Sequence, residues 1–235
     1  MVIAIRKGKG RRKGSALFRV VALSLGIIIL IPLSLALIYA VLPPPASALM
    51  LIRKAEGYAI EQRWVPLKSV SPHLPAAIIM SEDARFCRHG GVDWSALQEV
   101  IVEAEDGLPE RGASTIAMQT ARNMFLWPDR SVIRKGIEIP LALYLDLIWS
   151  KPRMMEVYVN FAEWGPGIFG VEAAARHHFG KTAANLTRRE ASLLAAALPN
   201  PFVRNAGRPG PHTRRIAGIV QNRLNNAAPW TDCLR

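Results

Sequence analysis

Residues 20–42, VVALSLGIIILIPLSLALIYAVL, form a run of 23 side chains without a charge. At about 1.5 Å per residue, a helix of that length reaches roughly 34 Å, enough to cross a hydrocarbon core of about 30 Å. Inside lipid every backbone N–H and C=O must find a partner within the segment, so the run has to be helical. Pro32 sits mid-run and would kink that helix. Residues 1–19 carry Arg6, Lys7, Lys9, Arg11, Arg12, Lys13 and Arg19 and no acid. That asymmetry predicts a cytoplasmic N-terminus, with residues 43 onward outside. A cleaved signal peptide is the rival, because Ala46-Ser47-Ala48 is a small-residue site. Its apolar core would be only about 7–15 residues, however, so an uncleaved single-pass anchor is expected.

The 193 residues after position 42 are one domain's worth. The net charge of +12 is uneven: seven positive charges lie in the tail, leaving +5 outside from 23 basic and 18 acidic residues. A basic tail beside a spanning segment is an orientation signal near anionic lipid, which argues against a nucleic-acid partner. Cys87 and Cys233 are too few for a disulfide framework. Two unpaired thiols are expected, with an oxidised pair left open for an exported domain in which they meet. The five histidines show no zinc-ligand spacing.

Pro43-Pro44-Pro45 gives a stiff exit from the membrane, followed by a juxtamembrane helix over 48–62. AAIIMSEDARF, from Ala76, reads as a mostly buried helix that turns polar at Ser81. Asp93 is placed to cap a helix running to Glu105. Gly107–Gly112 reads as a mobile loop. Further helices are predicted over 115–126, 131–149, 151–160, 170–179, 187–198 and 211–226, with a Thr187-x-x-Glu190 capping box. Strand signals are almost absent. The fold class is mainly α, organised as tail 1–19, span 20–42, linker or helix 43–64 and domain 65–235.

Three polar clusters carry the chemistry. In Glu82-Asp83-Ala84-Arg85-Phe86-Cys87-Arg88-His89-Gly90-Gly91-Val92-Asp93, Glu82 follows an apolar run. Desolvation there raises a carboxyl pKa while arginines lower it, a balance suited to a general base. Arg85 and His89 would share the face of Glu82 if the helix continued. Asp83 points elsewhere and is better placed to hold the backbone. In Gly112-Ala113-Ser114-Thr115-Ile116-Ala117-Met118-Gln119, two small residues precede hydroxyls at a helix start. Arg122, Arg130, Arg134 and Lys135 face only Asp129, and guanidinium groups suit phosphate oxygens. Lys135 and Glu138 could also be a surface pair.

The order and spacing of these clusters resemble the peptidoglycan glycosyltransferases of family 51, related to the glycosyltransferase domain of class A penicillin-binding proteins. Glu-Asp-x-x-Phe-x-x-His-x-Gly-x-Asp is filled at 82–93, and Arg-Lys-x-x-Glu at 134–138. Ala117 and Met118 depart from the usual Thr and Gln. Met155–Asn160 with Gly165, Gly170 and Phe179-Gly180-Lys181 is similar to the family's fourth region. Leu186–Ala191 with Leu194–Pro201 is similar to its fifth. Both are read as mainly architecture, although Asn160 and Glu163 could face the groove. The likeness covers roughly residues 65–205. With no Ser-x-x-Lys or Lys-Thr-Gly set, the chain is expected to be the monofunctional biosynthetic type, without a transpeptidase domain.

The resemblance implies a lysozyme-like helical fold and polymerisation of lipid II with inversion, releasing undecaprenyl pyrophosphate. Glu82 and Glu138 would be catalytic. Asp83, Arg85, Phe86, His89, Gly90, Ser114, Thr115, Gln119, Arg122, Asn123, Arg130, Arg134 and Lys135 would bind substrate. No cofactor is required, though a divalent cation (magnesium or manganese) could accompany the pyrophosphate. The implied partners are lipid II, the nascent glycan strand, the bacterial inner membrane and division or elongation proteins, with the domain periplasmic. A lytic transglycosylase or glycan hydrolase, and a catalytically silent scaffold of cell-wall synthesis, are the alternatives.

Overall fold

A computed structural model describes residues 11–105, 112–129 and 131–234. Their contacts divide the chain between Leu42 and Pro43. The first unit is built on α1 (Arg11–Tyr39), which contains Pro32. Within it, Leu17–Tyr39 is the one helix among the described residues long and apolar enough to cross a membrane. Its outward side chains are apolar: Leu23 is 68% exposed and Ile28 66%. Such a surface is costly in water and suits lipid. The helix stops short of the expected end at Leu42, which lies in a turn. Residues 1–10 of the expected cytoplasmic tail, most of the 107–112 loop and Arg130 fall outside the described residues.

The second unit is helical, as its patterning predicts. Ser47 caps α2 (Ala48–Ala55) by accepting from the Met50 amide at 3.2 Å. This helix ends earlier than expected, at a turn containing Gly57, whose φ is +93°. The buried segment forms α3 (His73–Glu82), with Leu74, Ala77, Ile78 and Ile79 fully enclosed. It packs against α9 (Arg188–Ala197) and α10 (Pro211–Arg223). The Thr187/Glu190 capping box closes the start of α9. Asp93 accepts from the Ala96 amide at 3.0 Å and so caps α4 (Trp94–Glu105). A central helix, α5 (Ile116–Phe125), packs against α2, α6 (Val132–Ile148) and α7 (Lys151–Phe161).

Three further features depart from the sequence reading. A small sheet forms, with β1 (Glu61–Gln62) parallel to β3 (Ile168–Phe169) and β2 (Glu163–Gly165) antiparallel to β3, followed by α8 (Val171–Phe179). Strands of two or three residues leave no alternating pattern, and tertiary approach makes them. Gly167 has φ +75°, and a Cβ there would collide with the Ala59 carbonyl oxygen. Second, α3 stops at Glu82, because Asp83 leaves the helix with φ −157° and ψ 71°. Arg85 and His89 are therefore not stacked on the Glu82 face. Third, Cys87 and Cys233 are not free thiols but form a disulfide across a separation of 146 residues. Arg88 docks the same C-terminal segment, donating to the Pro229 carbonyl at 2.6 Å and to Asp232 at 3.0 Å.

Candidate active site

Glu82 stands at the C-terminal end of a helix whose body is buried, so its carboxyl emerges into a partly enclosed space. Ser81 Oγ donates to Glu82 Oε1 at 3.2 Å, and Gln119 Nε2 donates to Oε2 at 3.1 Å. Burial raises the Glu82 pKa above the usual carboxylate value. The two donors and the positive charges of Arg204 and Arg122 pull the other way without cancelling the rise. This is the balance a base working near neutrality needs.

The turn after Glu82 is tied inward. Asp83 is buried and accepts from the Ile116 amide at 2.9 Å, while its other oxygen meets His89 Nε2 at 2.8 Å. Thr115 Oγ1 caps α5 at Met118 and donates to the Gly91 carbonyl at 2.6 Å. Phe86 is fully enclosed beneath the Lys151 ammonium, 4.8 Å from its ring centre. Lys151 also holds the His89 carbonyl and Asp146, each at 2.7 Å. Arg85 grips Asp93 with two bonds, at 2.8 and 2.5 Å. Burial pushes the Asp93 carboxyl up, but Arg85, the Ala96 amide and Ser95 outweigh it and leave it below the usual range. Asp83, Phe86, His89, Thr115 and the Arg85–Asp93 pair thus hold the loop, and their visible bonds are to protein.

Two cavities are linked by the Glu82–Gln119 hydrogen bond, Glu82 lining one and Gln119 the other. One, of about 350 Å³, is lined by Glu82, Arg85 and the segment Gly112–Thr115. The other, of about 380 Å³, is lined by Gln119, Arg122, Asn123, Arg134 and Tyr158, with Arg53, Glu163 and Leu198–Pro201 opposite. Ala117 and Met118, which replace the usual Thr and Gln, are fully buried, so neither position reaches these spaces. Gln119 faces out because one helical turn brings it over Thr115 while its neighbours turn inward.

The second cavity carries positive charge. Arg134 pairs with the fully buried Glu138 and donates from Nε to the Asp129 carbonyl at 2.7 Å. Lys135 Nζ lies 2.9 Å from Glu138 and 3.0 Å from Ser114 Oγ, bridging toward the Glu82 cavity. Burial, reinforced by Arg122 and Arg134, lowers the Lys135 pKa to about 8. Burial also lowers Arg122, with Tyr158 and Glu82 opposing. A single carboxylate, Glu138, at i+4 from Arg134 and i+3 from Lys135, thus fixes two cations that would otherwise repel.

Three contributors were not singled out in the sequence. Tyr158 donates to Gln119 Oε1 at 3.0 Å, Arg204 places charge near Glu82, and Arg53 reaches from α2 to Glu163 at 3.0 Å. Tyr158 lay inside a region read as architecture. Nothing local marks Arg204 or Arg53, which arrive from distant parts of the chain. Asn160 is buried and bonds both the amide and the carbonyl of Val65, so it fastens the chain, whereas Glu163 lines the cavity.

Two groups of potential metal ligands come together, Asp83–His89–Asp93 and Cys87–Asp232–Cys233. The first is closed by the hydrogen bonds above and the second by the disulfide. Of the carboxylates in the cationic cavity, Asp129 accepts from Ser131 and Glu163 accepts from Arg53 and Gly167. These residues do not make a cage for a resident cation.

The family described as Transglycosylase matches residues 50–224. The chain is 50% identical over 209 residues to a biosynthetic peptidoglycan transglycosylase of Agrobacterium fabrum, covering 88% of this chain and 92% of the relative. A protein of the same description from Nitrobacter hamburgensis is 47% identical over 219 residues, covering 90% and 96%. One from Brucella suis is 48% identical over 211 residues, covering 89% and 94%. The helical domain with its carboxylate base candidate and cationic cavity lies within the matched residues, and the chain belongs to the peptidoglycan transglycosylase family.

Proposed function

We propose that this enzyme polymerises lipid II into β-1,4-linked glycan strands, with Glu82 as the general base. The acceptor sugar would lie in the Glu82 cavity. As its 4-oxygen bonds to the anomeric carbon of the donor, its proton passes to Glu82 and the bond from that carbon to the diphosphate breaks. Attack from the face opposite the leaving group inverts the anomeric centre. Arg122, Arg134 and Lys135 neutralise the departing undecaprenyl pyrophosphate, with Arg130 a further candidate. Glu138 acts by holding Arg134 and Lys135 in place. A divalent cation is not required by this reading, and no step is routed through one.

The observation that carries the proposal is the pairing of a desolvated carboxylate with a separate cationic cavity across Gln119. A glycan hydrolase needs the carboxylate but has no use for the cations. Lipid II is a membrane substrate, and the apolar span supports catalysis beside a bilayer. The seven basic residues of the tail and the Cys87–Cys233 bond favour a cytoplasmic N-terminus and a periplasmic domain. On this view the four-part division at residues 19, 42 and 64 is functional, and proteins of division or elongation are the natural partners.

Polymerisation of fluorescent lipid II by detergent-solubilised protein tests the reading. Glu82→Gln removes the base with little change of shape, so its rate should fall by about 10²- to 10⁴-fold with melting temperature retained. Polymer formed at the wild-type rate by that variant would remove Glu82 from the mechanism.

A further inference from the structure

Gln119 stands between two groups that demand opposite things of it. Its amide can present either a donor or an acceptor toward Glu82, and a carboxylate accepts only donors. Tyr158 resolves the choice. Its hydroxyl donates to Gln119 Oε1 at 3.0 Å, which turns Nε2 toward Glu82 Oε2 at 3.1 Å. Tyr158 is 2% exposed and cannot turn to solvent instead. It comes from α7, Gln119 from α5 and Glu82 from α3, so the arrangement joins three helices.

We infer that Tyr158 is a positioning residue that keeps the Gln119 amide donating to Glu82 and so keeps that carboxylate available as a base. The inference rests on the reading of Glu82 given above. Burial holds the tyrosine hydroxyl well above its ordinary pKa, so it remains a donor throughout the working range. The other groups acting on Glu82 are Arg122 from α5 and Arg204 from the segment after α9, with Ser81 beside it in the chain; Asp83 acts on Tyr158. Arg223 of α10 is engaged with the Met80 carbonyl at 3.0 Å. None of these selects the orientation of the amide; the Ser114 carbonyl favours the same one, but it lies 3.5 Å from Nε2, at the limit of a hydrogen bond, so the tyrosine at 3.0 Å is the stronger constraint.

Without the tyrosine hydroxyl, only the long contact from Nε2 to the Ser114 carbonyl opposes a turn of the amide oxygen toward Glu82. That orientation favours the protonated acid, and the base is then available only at higher pH. Tyr158→Phe keeps the ring and its packing. The acidic limb of kcat/KM for lipid II polymerisation should move up by about one pH unit, a tenfold loss on the acid side, with the plateau retained. Gln119→Leu, whatever its plateau, should move the limb similarly, and the double variant should move it no further than either alone.

An unshifted limb in Tyr158→Phe, a uniform loss at all pH values, or additive shifts in the double variant would each overturn the relay. If Glu82→Gln is inactive while the Tyr158→Phe limb stays in place, only the relay fails. If Glu82→Gln polymerises normally, the base assignment fails and the relay falls with it.

Discussion

Lys135 makes an alkaline limit measurable. Its ammonium is held between Ser114 and Glu138, and burial among Arg122 and Arg134 brings its pKa down to about 8. The folded value lies below the unfolded one of 10.5, so the cation is lost as pH rises through about 8. Between those values the unfolded chain binds the extra proton. Raising pH there therefore stabilises the fold on Lys135's account, so deprotonation of this residue does not itself favour unfolding. Lys135 is about 90% charged at pH 7 and about 9% at pH 9, so kcat/KM should fall roughly tenfold between them. A bound diphosphate favours the ammonium, which moves the corresponding limb of kcat to higher pH. Lys135→Arg keeps a charge at all these pH values. Whatever its absolute rate, its kcat/KM ratio between pH 7 and pH 9 should approach one in the lipid II assay. A Lys135→Arg enzyme with the wild-type alkaline limb would show that another group titrates there.

Two further expectations concern the fold. Gly167→Ala forces a side chain onto a residue with φ +75° and against the Ala59 carbonyl, so it should cost at least about 2 kcal/mol, read as a lower melting temperature. Cys233→Ser opens a closed loop of 146-residue separation, worth about 5 kcal/mol at most by the loop-entropy argument. Denaturant unfolding should show that loss, and reducing agent should destabilise the wild type but not the variant.

What the sequence revealed follows from what is local. The span, the helices and the caps at Asp93, Thr115 and Thr187 depend on residues a few positions apart, and their patterns survive in one dimension. The base candidate was legible because an apolar run ends at Glu82. Its environment was not. Tyr158, Arg204 and Arg53 reach the cavities from elements made neighbours only by packing. The early end of α3 was hidden for a related reason: the Ile116 amide and His89 draw Asp83 out of helical geometry, and neither is adjacent to it. The cysteine pairing was concealed because Arg88 and the C-terminal turns bring residue 233 back to the loop after Glu82.

The Cys87–Cys233 bond makes most of the enzyme a covalent ring. Gln119, Arg122, Lys135, Glu138, Tyr158 and Arg204 all lie on it, while Glu82 sits on the tether just outside, five positions before the knot. A protease cutting once anywhere in the ring would leave the two pieces joined, so a nicked enzyme would run as an intact chain until it is reduced. The knot is tied by Cys233. A stop codon at that position would convert the ring into an open strand, with every catalytic candidate still present.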